Sequence, residues 1–257
     1  MKIREVRTHI LKANLSQPFS FSQWWYDARM ACLVEIETDD GTVGWGECYG
    51  PARAVEAAIN EYRGFLVGKN PLDRQVIWDW LYNRFRDYGQ KGVMIEGLSG
   101  VDIALWDIAG KHFGAPVYQL MGGAVRKEVA AYATGMYRTG GSGEVEALQA
   151  EAASYVNRGF KAMKIKVGFG FDFDVAFVKA IREAIGPRIG LMVDANHAYD
   201  STNALRLARA IEQYDIGWFE EPVPPEDRRG YRHVRNNTCI PIAGGECEFT
   251  RYGFRDF

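Results

Sequence analysis

From about residue 125 onward the chain alternates short apolar runs with amphipathic stretches, and this rhythm restricts the fold more than any other feature. Strands are expected at 129–134, 162–167, 190–196, 217–221 and 241–246, separated by helical stretches such as 144–158 and 173–185. Gly159 closes the first of those helices, and Gly186-Pro187 breaks the second. Ser201 or Thr202 is expected to cap the next helix, where Ala204, Leu207, Ala208 and Ile211 recur on one face. Repeated βα units of this size imply a parallel sheet, open or closed as a barrel.

The first half of the chain has another texture. Asp40-Gly41 between the apolar runs 31–37 and 43–47 signals a β-hairpin. Helices are expected at 52–63, 71–88 and 97–113, and Leu120-Met121-Gly122-Gly123 reads as a linker. Residues 1–122 thus form an α+β unit and residues 123–257 a βα unit, giving an α/β protein of two domains.

Composition excludes several classes. The net charge is −2 with no basic block, so neither nucleic acid nor an anionic membrane is an expected partner. No run of 18 apolar residues and no signal-peptide pattern is present, so no membrane span is expected. Cys32, Cys48, Cys239 and Cys247 form no CxxC pair, which fits free thiols in a reducing cytoplasm.

The polar residues gather at the ends of the expected strands, where parallel α/β folds build active sites. Asp194, Glu220 and Glu246 are 26 residues apart in each step, about one βα unit, and so take equivalent places on three successive strands. An acid alone at a strand end caps a helix or sits solvated at a rim. Three converging carboxylates repel unless a cation sits among them, and an all-oxygen site suits Mg²⁺ or Mn²⁺.

Lys164 and Lys166 share one face of the 162–167 strand, opposite Met163, Ile165 and Val167. Lysines pointing outward from a solvated edge strand are the plain alternative. Inside a covered sheet, adjacent ammonium groups depress each other's pKa and make one a usable base. Asn196 and His197 follow Asp194 and are candidate substrate contacts. Glu221 backs the ligand Glu220. Trp24-Trp25-Tyr26 reads as a loop, either packed structurally or closing over substrate through Trp25. Tyr137 and Arg29 are further candidates. Gly168-Phe169-Gly170-Phe171 lacks the spacing of a dinucleotide fingerprint and reads as a turn.

Lys164-Ile165-Lys166, Asp194-Ala195-Asn196, Glu220-Glu221-Pro222 and Gly244-Gly245-Glu246, in that order, resemble the enolase superfamily, in its mandelate racemase/muconate lactonizing branch. Residues 40–47 (DGTVGWGE) and 98–111 (LSGVDIALWDIAGK) resemble that family's capping domain. GFGF, DANHAYD and WFEEPV look most like acid-sugar enzymes, D-galactarolactone cycloisomerase-like proteins among them.

The resemblance implies a (β/α)8-type barrel after the capping domain. It implies Mg²⁺ held by Asp194, Glu220 and Glu246, which binds the substrate carboxylate and stabilises the enediolate left when the α-proton departs. Lys166 becomes the base and Lys164 the neighbour that tunes it. The implied reaction on a sugar acid or lactone is cycloisomerisation, dehydration or epimerisation, in a cytoplasmic enzyme that is a homo-oligomer at full length. Members of the branch carry a second acid/base on later strands. With five strands counted and eight needed for closure, the barrel is expected to be incomplete by Phe257. Two other readings stay open: a metal-free lyase forming a Schiff base on Lys164 or Lys166, and a purely structural fragment without activity.

Overall fold

The computed structural model describes residues 1–257. The chain forms two compact units. One comprises Met1–Asn14, Ala28–Glu128 and Phe249–Gly253, the other Leu15–Asp27, Val129–Glu248 and Phe254–Phe257.

The first unit is built on an antiparallel sheet ordered β1 (Ile3–Ser20), β2 (Trp25–Thr38) and β3 (Val43–Cys48), whose outer ends of β1 and β2 belong to the second unit. The hairpin register pairs Glu37 with Val43 and Cys32 with Cys48 across the expected Asp40-Gly41 turn. Four helices follow: α1 (Ala52–Leu66), α2 (Arg74–Phe85), α3 (Val93–Phe113) and α4 (Val117–Leu120). Leu120, expected in a linker, closes α4 instead. Pro116 supplies a fixed φ before that helix, and its carbonyl accepts from Gln119 N at 2.9 Å. Helix α3 packs on β3 backbone to backbone. A Cβ on Gly46 would lie 2.0 Å from the Gly100 carbonyl oxygen, so β3 tolerates no side chain there. Val34, Ile36, Val55, Ile59, Leu98, Val101 and Leu105 fill the core between sheet and helices.

The second unit is a parallel sheet in strict chain order: β4 (Ala133–Thr134), β5 (Ala162–Lys166), β6 (Gly190–Asp194), β7 (Ile216–Glu220) and β8 (Ile242–Ala243). Its helices are α5 (Glu144–Asn157), α6 (Phe171–Ile185), α7 (Ser201–Ile211) and α8 (Arg228–Asn237), each packed on the next, with α9 (Thr250–Asp256) near the end of the chain. Met163, Ile165, Leu191, Val193 and Phe219 meet Phe177, Ile181, Leu207 and Ile211 in one core. Each such side chain, fully buried, contributes roughly 1.5–3 kcal/mol. This is the α/β architecture expected, with strands shorter than the apolar runs suggested. Only residues 133 and 134 of the expected 129–134 strand pair with β5, and Val129 is solvent-exposed.

Two local expectations are corrected. The cap of α7 is Asp200, whose Oδ1 accepts from Thr202 N at 2.9 Å and Asn203 N at 2.8 Å, leaving Ser201 and Thr202 inside the helix. Trp25 opens strand β2 rather than lying in a loop, because β1 and β2 continue as a long ribbon with Phe19, Phe21 and Tyr26 packed ring on ring.

Candidate active site

The side chains opposite the helix-covered core carry the chemistry. Strand β5 is an interior strand between β4 and β6, so the outward-facing edge reading of its lysines is excluded. Lys164 and Lys166 are both buried, 7% and 8% exposed. Burying two ammonium groups is costly unless each is paired. The neighbouring strands supply the partners through their register: Lys166 pairs with Asp194, and Asp194 with Glu220. Lys166 Nζ donates to Asp194 Oδ2 at 2.7 Å and to Asn196 Oδ1 at 2.6 Å. Lys164 Nζ donates to Glu220 Oε2 at 2.8 Å and lies 3.3 Å from Asp194 Oδ2.

A bulge makes this row possible. Leu191 to Val193 spans two residues on β6, whereas their partners Ile216 and Phe219 span three on β7. Ile216 and Phe219 therefore both face the core, and Glu220 is turned to the same face as Asp194. Trp218 Nε1 donates to Glu220 Oε2 at 3.0 Å and fixes that carboxylate from its own strand.

Glu246 arrives by another route. The register partner of Glu220 on β8 is Ala243, so Glu246 lies three residues beyond the row rather than at an equivalent strand position. The chain leaves the sheet at Gly244-Gly245, with Gly245 at φ +119°, and the turn returns Glu246 to its neighbours. One ligand oxygen each from Asp194, Glu220 and Glu246 lie within 4.8 Å of one another. Asp194 is fully buried and Glu246 is the solvent-facing member.

The charge balance suits a cation. Four carboxyl groups, Asp194, Glu220, Glu221 and Glu246, stand against two ammonium groups. Burial, reinforced by Glu246 and Asp194, pushes the Glu221 carboxyl up to about 7. Lys164 behaves otherwise than expected from the sequence. Burial pulls Lys164 down, but Glu220 and Asp194 outweigh it and hold the ammonium above its ordinary value. Carboxylates at 2.8 and 3.3 Å dominate any repulsion between the two lysines. Three hard oxygen donors near one another fit Mg²⁺ or Mn²⁺.

The other expected contacts divide. Asn196 joins the site: its amide approaches Glu221 Oε2 and Glu246 Oε1, each at 3.5 Å, and its backbone N donates to Asp194 Oδ1 at 2.9 Å. His197 falls instead beside Glu221 and Cys247. Tyr137 reaches the site, its ring centroid 5.9 Å from Lys166 Nζ. Trp25 is 52% exposed at the start of β2, and Arg29 belongs to the first unit. The aromatic side chain that the ribbon brings to Lys166 is Phe21, at 6.0 Å. Ser22 Oγ donates to the Ala195 carbonyl at 2.7 Å, and Gln23 Nε2 reaches the Asn196 carbonyl at 3.4 Å. Tyr132, 5.9 Å from Lys164 Nζ, faces Trp218. Phe21, Ser22 and Tyr132 were not singled out from sequence. Their neighbourhood depends on pairing between distant strands, and only the Trp-Trp-Tyr cluster nearby gave a signal.

Comparison with known proteins gives the family. Residues 3–122 match the N-terminal domain of the mandelate racemase/muconate lactonizing enzymes, and residues 147–257 match the enolase C-terminal domain-like family. The chain belongs to the mandelate racemase/muconate lactonizing branch of the enolase superfamily, a family of enzymes. It is 49% identical over 253 residues to D-galactarolactone cycloisomerase of Agrobacterium fabrum, covering 98% of this chain and 67% of that one. It is 40% identical over 225 residues to arabinonate dehydratase of Saccharolobus solfataricus, covering 86% and 60%. The crystal structure of 3,6-anhydro-D-galactonate cycloisomerase from Zobellia galactanivorans superposes with a TM-score of 0.92 at 44% identity, covering 100% of this chain and 68% of that one. The chain thus spans about two thirds of the length of these relatives. All four cysteines are free, and no helix is long and apolar enough to cross a membrane.

Proposed function

We propose that the protein catalyses removal of the proton α to a carboxylate in a sugar acid or its lactone, giving cycloisomerisation or dehydration, with Mg²⁺ bound by Asp194, Glu220 and Glu246. The observation that carries this reading is the row Lys166–Asp194–Glu220: a buried lysine and two carboxylates placed side by side by sheet register. The kinship with a galactarolactone cycloisomerase and an arabinonate dehydratase supports the substrate class. The family-model spans support residues 1–122 as a capping domain and 123–257 as the catalytic portion.

Mg²⁺, when bound, supplies a Lewis acid that offsets the charge developing on the substrate carboxylate as an enediolate. The protein's own side chains do the rest. Lys166 Nζ takes the α-proton. Asn196, which accepts from Lys166 at 2.6 Å, aims the amine. Lys164, held charged by Glu220 and Asp194, keeps a positive charge beside the substrate carboxylate. Phe21 and Tyr137 flank Lys166 and exclude water from it.

The test is exchange of the α-proton with deuterated solvent, followed by NMR over a panel of aldonic and aldaric acids and lactones with Mg²⁺. Exchange and turnover on a member of the panel, both lost in Lys166→Ala, are expected. Exchange that persists in Lys166→Ala would overturn the base assignment, and no exchange on any acid sugar would overturn the substrate class.

A further inference from the structure

The strand ends that carry Asp194, Glu220 and Glu246 carry a second cluster just downstream. His197 stands three residues after Asp194, Glu221 one after Glu220, and Cys247 one after Glu246. A ring nitrogen of His197, a carboxylate oxygen of Glu221 and Cys247 Sγ all lie within 4.8 Å of one another.

Glu221 supplies the independent sign that something belongs there. It is fully buried, and its Oε1 has no hydrogen-bond partner. The Asn196 amide approaches its other oxygen at 3.5 Å, and the Cys247 thiol is the carboxyl's remaining hydrogen-bonding neighbour. A carboxylate oxygen removed from water and left unpaired is costly, and native structures seldom retain one without a reason. The backbone fixes the arrangement. Asn196, His197 and Glu221 all adopt left-handed conformations, and His197 N donates to the Glu221 carbonyl at 2.7 Å. His197 and Cys247 are half-buried, so the cluster is open to solvent on their side while Glu221 closes its floor.

The donor set differs from that of the carboxylate triad. One imidazole nitrogen, one thiolate and one carboxylate are a borderline-soft combination, typical for zinc and foreign to magnesium. We infer that His197, Glu221 and Cys247 form a site for a thiophilic divalent transition metal, Zn²⁺ in the first instance, beside the all-oxygen site and selective against its ion. On binding, the Cys247 S–H bond breaks, the Sγ–metal bond forms and the proton passes to bulk water. Three protein ligands leave one tetrahedral position for water.

The experiment titrates the protein, kept in saturating Mg²⁺, with Zn²⁺ in competition with a chromophoric chelator. One Zn²⁺ per chain that excess Mg²⁺ does not displace is expected. Cys247→Ser and His197→Ala should each weaken it by about tenfold or more without changing Mg²⁺ affinity. Zn²⁺ uptake equal in wild type and both variants, or complete displacement by Mg²⁺, would overturn the site. Wild-type protein gives a check that needs no variant. Zn²⁺ should protect Cys247 from iodoacetamide, read by peptide mass mapping, while the exposed Cys239 continues to react. Alkylation of Cys247 at the same rate with and without Zn²⁺ would overturn the proposal equally.

Discussion

Lys166 Nζ lies 2.7 Å from Asp194 Oδ2, its register partner on the neighbouring strand, and both groups are buried. An amine so placed cannot be removed without leaving a buried carboxylate. Lys166→Ala should therefore abolish deuterium exchange at the α-carbon while Mg²⁺ affinity is kept or strengthened, because Asp194 loses a competing cation. Isothermal titration with Mg²⁺ beside the exchange assay separates the two effects.

Glu220 is held by Lys164 at 2.8 Å and Trp218 at 3.0 Å. Glu220→Gln keeps the volume and removes the charge. Loss of a direct ligand should weaken Mg²⁺ binding by more than the roughly 10–100-fold typical of residues that only orient one. Unaltered affinity would count against the triad. Prolonged treatment with a chelator should likewise stop turnover, and added Mg²⁺ should restore it.

Glu144 accepts from Thr139 N at 2.8 Å, Gly140 N at 2.7 Å and Arg138 Nε at 2.9 Å. Burial opposes its charge, but these donors outweigh burial and hold the carboxyl below its ordinary value. A carboxyl lowered on folding stabilises the protein above its unfolded pKa, and that contribution fades as pH falls through the folded value. Glu144→Gln should cost about 1–2 kcal/mol at pH 7. The difference from wild type should shrink in thermal melts taken progressively below the ordinary glutamate range. A gap independent of pH would show that the charge plays no part.

Asp174 is fully buried at the start of α6, where it accepts from Gly168 N at 2.7 Å, Phe169 N at 3.2 Å and the Tyr199 hydroxyl. It ties down the turn that follows Lys166. Asp174→Asn presents an NH₂ group to at least one of these donors and should destabilise the protein by about 2 kcal/mol. Chemical denaturation measures this directly, and a change below the scatter of the method would contradict the account.

Gly46→Ala tests the close contact of β3 with α3. The added carbon would sit 2.0 Å from the Gly100 carbonyl oxygen, so backbone must shift. A loss of about 3 kcal/mol or more is expected, the upper range for an overpacked core. Urea unfolding reads it, with Gly41→Ala failing to serve as a neutral control because Gly41 has φ +85°.

Much of this site was legible because its chemistry rides on a regular repeat. Asp194 and Glu220 are 26 residues apart and do stand in register. The reason was not legible. A bulge in β7 supplies the extra residue that turns Glu220 to the Asp194 face, and strand alternation contains no hint of it. Glu246 reached the cluster through a glycine turn past Ala243, so the second interval of 26 matched for a different physical reason. The electrostatics of Lys164 misled because sequence shows the ammonium neighbour two residues on but not the carboxylates of Glu220 and Asp194 across the sheet. Phe21 and Ser22 stayed hidden for the same cause, since the site groups they reach, Lys166 and the Ala195 carbonyl, lie more than a hundred residues away in the chain.

The strict strand order of the parallel sheet has a kinetic consequence. Each pairing joins residues close in sequence: Ala133 with Met163, Met163 with Leu191, Val193 with Phe219, Phe219 with Ile242. Every closure thus spans roughly one βα unit, and the entropy lost per step stays small and nearly constant. The sheet can zip up as the ribosome delivers it. In chain order, Asp194 reaches Lys166 from the next repeat, and Glu220 reaches Lys164 from the one after, so each buried lysine finds its partner within two repeats.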